Sequence, residues 1–111
     1  MPVTPVTSFD EFKTIINSGD FAVFDFWATW CGPCKVISPI FERLSNQFTS
    51  VKFYKVDVDA AEEISQEVGV RAYLRGRLQM PTFVLFKDGQ KIKDLVGANP
   101  AGLQELIQHA V

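Results

Sequence analysis

Cys31 and Cys34 are the only two cysteines in the chain, and they share the run Trp30-Cys31-Gly32-Pro33-Cys34. If that run opens a helix, the thiols lie one turn apart, close enough to form a disulfide with little backbone movement. Such a pair can cycle between dithiol and disulfide. Cys31 falls at the helix start, where the positive end of the helix dipole and unpaired backbone N–H groups favour thiolate over thiol, which makes it the expected nucleophile. Cys34, one turn further in, is expected to be more buried and protonated at rest, and so suits the attack that resolves a mixed disulfide. Two other uses of the motif compete with this one. A tetrahedral zinc site needs two more ligands, and the chain offers no third cysteine and one histidine, His109, read as a solvated residue of the tail. A disulfide kept only as a staple would close so short a loop that it would restrict the unfolded chain little. Redox use remains.

Two charged residues interrupt apolar runs. Phe21 to Trp27 is nearly all apolar or aromatic, the pattern of a strand covered on both faces, and Asp25 breaks it. Burial there would raise its pKa and let it exchange protons near neutral pH; the alternative is a surface aspartate at a strand edge. Lys55 stands in the same way inside Val51 to Val58. A strand lysine usually carries its ammonium to water and only sometimes pairs with a buried carboxylate. Phe24, Phe26, Phe41, Phe53, Phe83 and Phe86 are read as core, with no ligand role.

The elements that must position these residues can be read along the chain. Ser8-Phe9-Asp10-Glu11 has the capping-box pattern, and Phe9, Phe12, Ile15 and Ile16 repeat at helical spacing until Gly19. The strand from Phe21 to Trp27 follows. From Pro33, the spacing of Val36, Ile37, Ile40, Phe41, Leu44 and Phe48 predicts a long amphipathic helix, with a kink at Pro39. Val51 to Val58 reads as a mostly buried strand, and Glu62 to Val68 as a polar helix. Thr82 to Phe86 and Lys91 to Val96 flank Lys87-Asp88-Gly89-Gln90, the pattern of a hairpin turned by Asp-Gly. Asn99 and Pro100 open a last helix through Leu103, Leu106 and Ile107. Strands alternating with helices and ending in a hairpin imply an α/β fold, one mixed sheet in a three-layer sandwich.

Composition narrows the function. At 111 residues and 47% apolar content, the chain is the size of one domain, taken as residues 1–111, with a real core. Its net charge of -2 gives no electrostatic footprint for nucleic acid or an anionic membrane, and neither is expected as a partner. No apolar run reaches the length of a membrane span, and Met1-Pro2-Val3-Thr4-Pro5 lacks the features of a signal peptide. The expected compartment is the cytoplasm, where a close cysteine pair is more often redox-active than structural.

Phe24-Asp25-Phe26-Trp27-Ala28-Thr29-Trp30-Cys31-Gly32-Pro33-Cys34-Lys35 closely resembles the thioredoxin family. The likeness continues through Pro39, Lys55-Val56-Asp57-Val58-Asp59, Met80-Pro81-Thr82, Phe86-Lys87-Asp88-Gly89 and Val96-Gly97-Ala98, and so spans essentially the whole chain. It implies a thioredoxin fold and a protein disulfide reductase in which Cys31 attacks, Cys34 resolves, and Asp25 accepts the proton with help from Lys55. It also implies a cis Pro81, which would aim the Met80 backbone at a substrate strand, and a substrate surface of Trp30, Gly32, Pro33, Met80 and Pro81. The implied partners are disulfide-containing proteins and a flavin-containing thioredoxin reductase that draws on NADPH. No cofactor is expected on this chain beyond its own redox-active disulfide. Glutaredoxins more often carry Cys-Pro-Tyr-Cys and disulfide isomerase domains Cys-Gly-His-Cys, and neither is present at this site.

One segment departs from the family pattern. Gly69-Val70-Arg71-Ala72 is followed by seven extra residues, Tyr73-Leu74-Arg75-Gly76-Arg77-Leu78-Gln79, before Met80. Gly76 could take over the place of Gly69 in that pattern. The insertion either lengthens the preceding helix, keeping Ala61, Ile64, Val68 and Ala72 on one face, or forms an exposed basic loop carrying Arg75 and Arg77 to the rim of the substrate groove. The loop is the preferred reading. Against a general reductase stand a binding module whose insertion blocks turnover, and a dimer formed by segment exchange through the insertion; a monomer is the expected state.

Overall fold

The computed structural model describes residues 3–68, 73–74, 77–78 and 80–111. Among them, a central sheet is built from β1 (Val3–Pro5), β2 (Ala22–Trp27), β3 (Lys52–Asp57), β6 (Thr82–Lys87) and β7 (Gln90–Val96) in the order β1-β3-β2-β6-β7. β3 runs parallel to both β1 and β2, whereas β6 is antiparallel to β2 and to β7. Four helices cover it: α1 (Phe9–Ile16), α2 (Gly32–Gln47), α3 (Glu62–Val68) and α4 (Pro100–Gln108). Phe12 and Ile16 of α1 and Ile64 of α3 pack with Phe24, Phe26, Val56 and Phe86 on one face. On the other face Ile37, Phe41 and Leu44 of α2 and Leu103, Leu106 and Ile107 of α4 pack with Val23, Phe53, Phe83 and Leu85. This is the expected three-layer α/β sandwich, and the period-2 alternation of β2 and β6 divides their side chains between the two layers.

Local signals set most boundaries. The Ser8 hydroxyl accepts from the Glu11 N–H at 3.1 Å, capping α1, while the Glu11 carboxylate accepts from the Thr7 N–H at 3.2 Å, one residue ahead of the usual reciprocal bond. Asn99 Oδ1 accepts from the Gly102 N–H at 3.0 Å and caps α4. Asp88 and Gly89 have φ of 52° and 78°, the two left-handed residues that a tight Asp-Gly hairpin demands. α2 continues through Pro39, which has no N–H to offer the Lys35 carbonyl. β1 was not legible in the sequence, because three residues ending in a proline are too few to show alternation. It exists through its pairing with β3, Val3 opposite Phe53 and Pro5 opposite Lys55.

The segment before Met80 is described in part. α3 is described through Val68, and β4 (Tyr73–Leu74) pairs antiparallel with β5 (Arg77–Leu78) in a separate two-stranded sheet, Tyr73 opposite Leu78 and Leu74 opposite Arg77. A helix continuing through Tyr73 is therefore excluded, and a short antiparallel strand pair falls within the segment expected as a loop. The suggested roles of Gly69, Ala72, Arg75 and Gly76, the exposure of the loop and the placement of the Arg77 side chain lie outside the described residues.

Candidate active site

Cys31 and Cys34 are joined in a disulfide, with Cα atoms 5.4 Å apart. Cys31 is the N-cap of α2 in an extended conformation, and its Sγ accepts from the Cys34 N–H at 3.2 Å. This is the placement that the motif predicts. An N–H at a helix start, directed at a sulfur, stabilises negative charge on that sulfur once the disulfide opens. The expectation that Cys34 is the more buried of the two is corrected: Cys31 is 0% exposed and Cys34 2%. Ala28 and Met80 share one buried cluster with both cysteines, so both are enclosed in the oxidised state. What distinguishes them is position on the helix rather than depth.

The Met80-Pro81 peptide is cis, as the resemblance implies. Met80 is buried, and the Pro81 carbonyl accepts from the Gly97 N–H at 2.8 Å, which ties the start of β6 to the end of β7. Gly97 has φ of 104°, a conformation that a side chain would strain. Trp30, Gly32 and Pro33 are exposed beside the disulfide.

A residue given no role by the sequence reading fixes Trp30. Its indole Nε1–H donates to Asp59 Oδ2 at 2.8 Å. Asp59 is itself held in a turn, where the Asp57 carboxylate accepts from the Asp59 and Ala60 N–H groups at 2.9 and 3.3 Å. The sequence signal was an aspartate at the end of a predicted strand followed two residues later by another, the pattern of a side chain closing its own turn.

Asp25 and Lys55 come together on adjacent strands. They are register partners of β2 and β3, and parallel partners direct their side chains to the same face. Asp25 shares the parity of Val23, and Lys55 that of Phe53, both in the layer beneath α2. Asp25 is 4% exposed, and its Oδ1 has no hydrogen-bond partner in the protein. Burial pushes its pKa up to about 7, against a smaller downward pull from the Lys55 ammonium. The surface-edge alternative for Asp25 is thereby excluded. The Lys55 ammonium lies 6.0 Å from the centroid of the Trp27 ring, and among the described residues no ion pair joins it to Asp25. Asp25, Trp27, Cys34, Lys35, Ser38 and Lys55 line a narrow cavity of about 110 Å³, which links the buried carboxyl to the second cysteine.

The two sulfurs are spent on each other, His109 is exposed at the end of α4, and among the described residues no group of three metal-ligating side chains occurs.

Comparison with known proteins agrees with this geometry. The Thioredoxin family pattern matches residues 3–109. A thioredoxin of Coprinus comatus is 50% identical over 111 residues, covering 98% of this chain and 98% of the relative. The crystal structure of Malassezia sympodialis thioredoxin superposes with a TM-score of 0.88 at 49% identity, covering 97% of this chain and 90% of that one. The oxidised mitochondrial thioredoxin 3 of Saccharomyces cerevisiae gives 0.86 at 42% identity, covering 96% and 94%. With a disulfide at the start of α2, a cis proline beside it and a matching sequence over nearly its full length, the chain belongs to the thioredoxin family of protein disulfide oxidoreductases.

Proposed function

We propose that Cys31 opens the target disulfide and Cys34 closes the cycle, with Asp25 taking up the proton. The Cys31 thiolate attacks one sulfur of the substrate disulfide, forming a Cys31–substrate bond while the other substrate sulfur leaves as a thiolate. Cys34 then passes its thiol proton toward the Asp25 carboxylate, and its sulfur attacks Cys31. The Cys31–substrate bond breaks, the second substrate thiolate leaves, and the Cys31–Cys34 disulfide remains. Two electrons have moved to the substrate, and in this family thioredoxin reductase returns them with NADPH as their source. Lys55 favours the ionised carboxylate of Asp25, and Trp30, Gly32, Pro33, Met80 and Pro81 form the surface on which an extended substrate strand pairs. The observation that carries this reading is the Cys34 N–H bonded to the Cys31 sulfur at the helix start, which makes Cys31 the better thiolate. Cys34→Ser is expected to retain the first attack, lose the second, and accumulate a covalent Cys31 adduct with a disulfide substrate. Intact-mass measurement finding no adduct, or one on residue 34 in the reciprocal variant, reverses the order.

The reading extends to a single cytoplasmic domain of residues 1–111 that acts as a monomer. No helix among the described residues is long and apolar enough to cross a membrane. Relatives include a protein named as mitochondrial, so the compartment is to be tested by fractionation.

The segment of residues 73–79 modulates substrate access or association rather than supplying a chemical group. Residues 73–79 contain no thiol and no carboxyl, while Tyr73, Leu74 and Leu78 are apolar and Arg75 and Arg77 basic. Deleting these seven residues is expected to leave the fold and the reduction of a small disulfide intact, and to change turnover of protein substrates or self-association. Loss of small-disulfide reduction in a folded deletion variant places the segment in the catalytic site instead. Sedimentation of both forms detects a dimer made through it.

A further inference from the structure

Ser38 lies in α2 one turn beyond Cys34, and it lines the same cavity as the Asp25 carboxyl. Other helical hydroxyls are spent on the backbone: Thr14 donates to the Asp10 carbonyl at 3.0 Å, Ser45 to that of Glu42 at 2.5 Å, and Ser65 to that of Ala61 at 3.5 Å. No such bond engages Ser38 among the described residues, so its hydroxyl is free to turn into the cavity. Asp25, which lines the same cavity, has its Oδ1 buried and without a protein partner. A cavity of about 110 Å³ exceeds the roughly 30 Å³ share of one water, and a buried water needs two to four polar partners. Those partners are present in Asp25, Ser38, Lys55 and the Cys34 sulfur.

We propose that Ser38 is a positioning residue that holds water in the cavity between Asp25 and Cys34, and so sets how readily the carboxyl exchanges its proton with the thiol. This deepens the assignment of Asp25 as proton acceptor and rests on it for its catalytic consequence. The hydroxyl donates to the water and the water to the carboxylate, stabilising the ionised form. The other groups facing Asp25 are already accounted for. Lys55 approaches from β3 and Lys35 from α2, while β6 places the uncharged Phe83 opposite it in register. Neither lysine changes when Ser38 is altered.

The test follows the Asp25 carboxyl by carbon NMR across pH in the oxidised protein, with the pH profile of turnover measured alongside. Ser38→Ala removes a polar partner of the water and is expected to raise the Asp25 midpoint by about 0.5 to 1 pH unit. Ser38→Thr keeps the hydroxyl and is expected to restore it. The turnover profile should move with the carboxyl in Ser38→Ala, and Ser38→Ala should add nothing to the profile of Asp25→Asn. An unshifted Asp25 midpoint in a folded Ser38→Ala protein overturns the proposal, as does a Ser38→Thr midpoint no closer to the parent. A shifted midpoint with an unchanged turnover profile leaves Ser38 as the holder of the water and removes Asp25 from the proton transfer.

Discussion

Cys31→Ser is expected to abolish disulfide reduction, by about 10⁴-fold or more relative to the parent chain. A serine hydroxyl at the start of α2 still receives the Cys34 N–H, so the local structure should survive. The chemistry does not: the hydroxyl stays protonated near neutral pH, where a thiol with an ordinary pKa of about 8.5 is already a few per cent ionised. The oxygen also cannot form the mixed disulfide on which the exchange depends. Insulin reduction coupled to thioredoxin reductase and NADPH measures the loss, and circular dichroism shows whether the fold is retained. Turnover within tenfold of the parent would take the nucleophile's role away from Cys31 and give it to Cys34.

Asp25→Asn should produce two effects of opposite sign, one on rate and one on stability. Without a proton acceptor beside Cys34, turnover near pH 7 is expected to fall about 10-fold, less than the usual 10²–10⁴-fold of a general base, because a small fraction of the thiol ionises unaided. Stability is expected to rise. The folded pKa is about 7 against 3.8 for the free side chain, so below pH 3.8 both states are protonated and the carboxyl is neutral in its effect. Between those values the unfolded chain loses its proton while the folded chain keeps it. The parent protein therefore loses stability as pH rises, by about 1.4 kcal/mol per unit. The loss is complete above about pH 7, at an order-of-magnitude total of up to about 4 kcal/mol. Asparagine never ionises, so Asp25→Asn should match the parent near pH 3.5 and exceed it most at pH 8. Denaturant unfolding at both pH values checks this. An equal difference at the two would mean that the gain comes from packing or hydrogen bonding rather than from the ionised carboxyl.

Much of this site was legible before any coordinates, and for identifiable reasons. The two cysteines announce a helix start by their spacing and by the proline between them. Asp25 announces itself as a charge in an apolar run, because a strand covered on both faces leaves a carboxylate no route to water. Capping residues and the Asp-Gly turn act within a few residues, so Ser8, Asn99 and Gly89 mark their elements locally. Asp59 was present in the motif but had no role, since its partner Trp30 lies 29 positions away and only the turn closed by Asp57 brings them together.

The sequence by itself determined the chemistry: which atoms can exchange electrons, which group can hold a proton, and an α/β sandwich to carry them. These follow from residue type and short-range periodicity, which act over a turn of helix or the alternation of a strand. The tertiary structure decided what depends on long-range register and enclosure. Parallel pairing of β2 with β3 set Asp25 beside Lys55, and packing of α2 over that face left the cavity that Ser38 shares with Asp25 and Cys34. Packing also buried Cys31 as deeply as Cys34, against the expectation from helix position, because exposure is decided by what closes over a residue. β4 and β5 formed by the same logic: two-residue strands carry too little pattern to be read alone, and only their mutual pairing makes them strands.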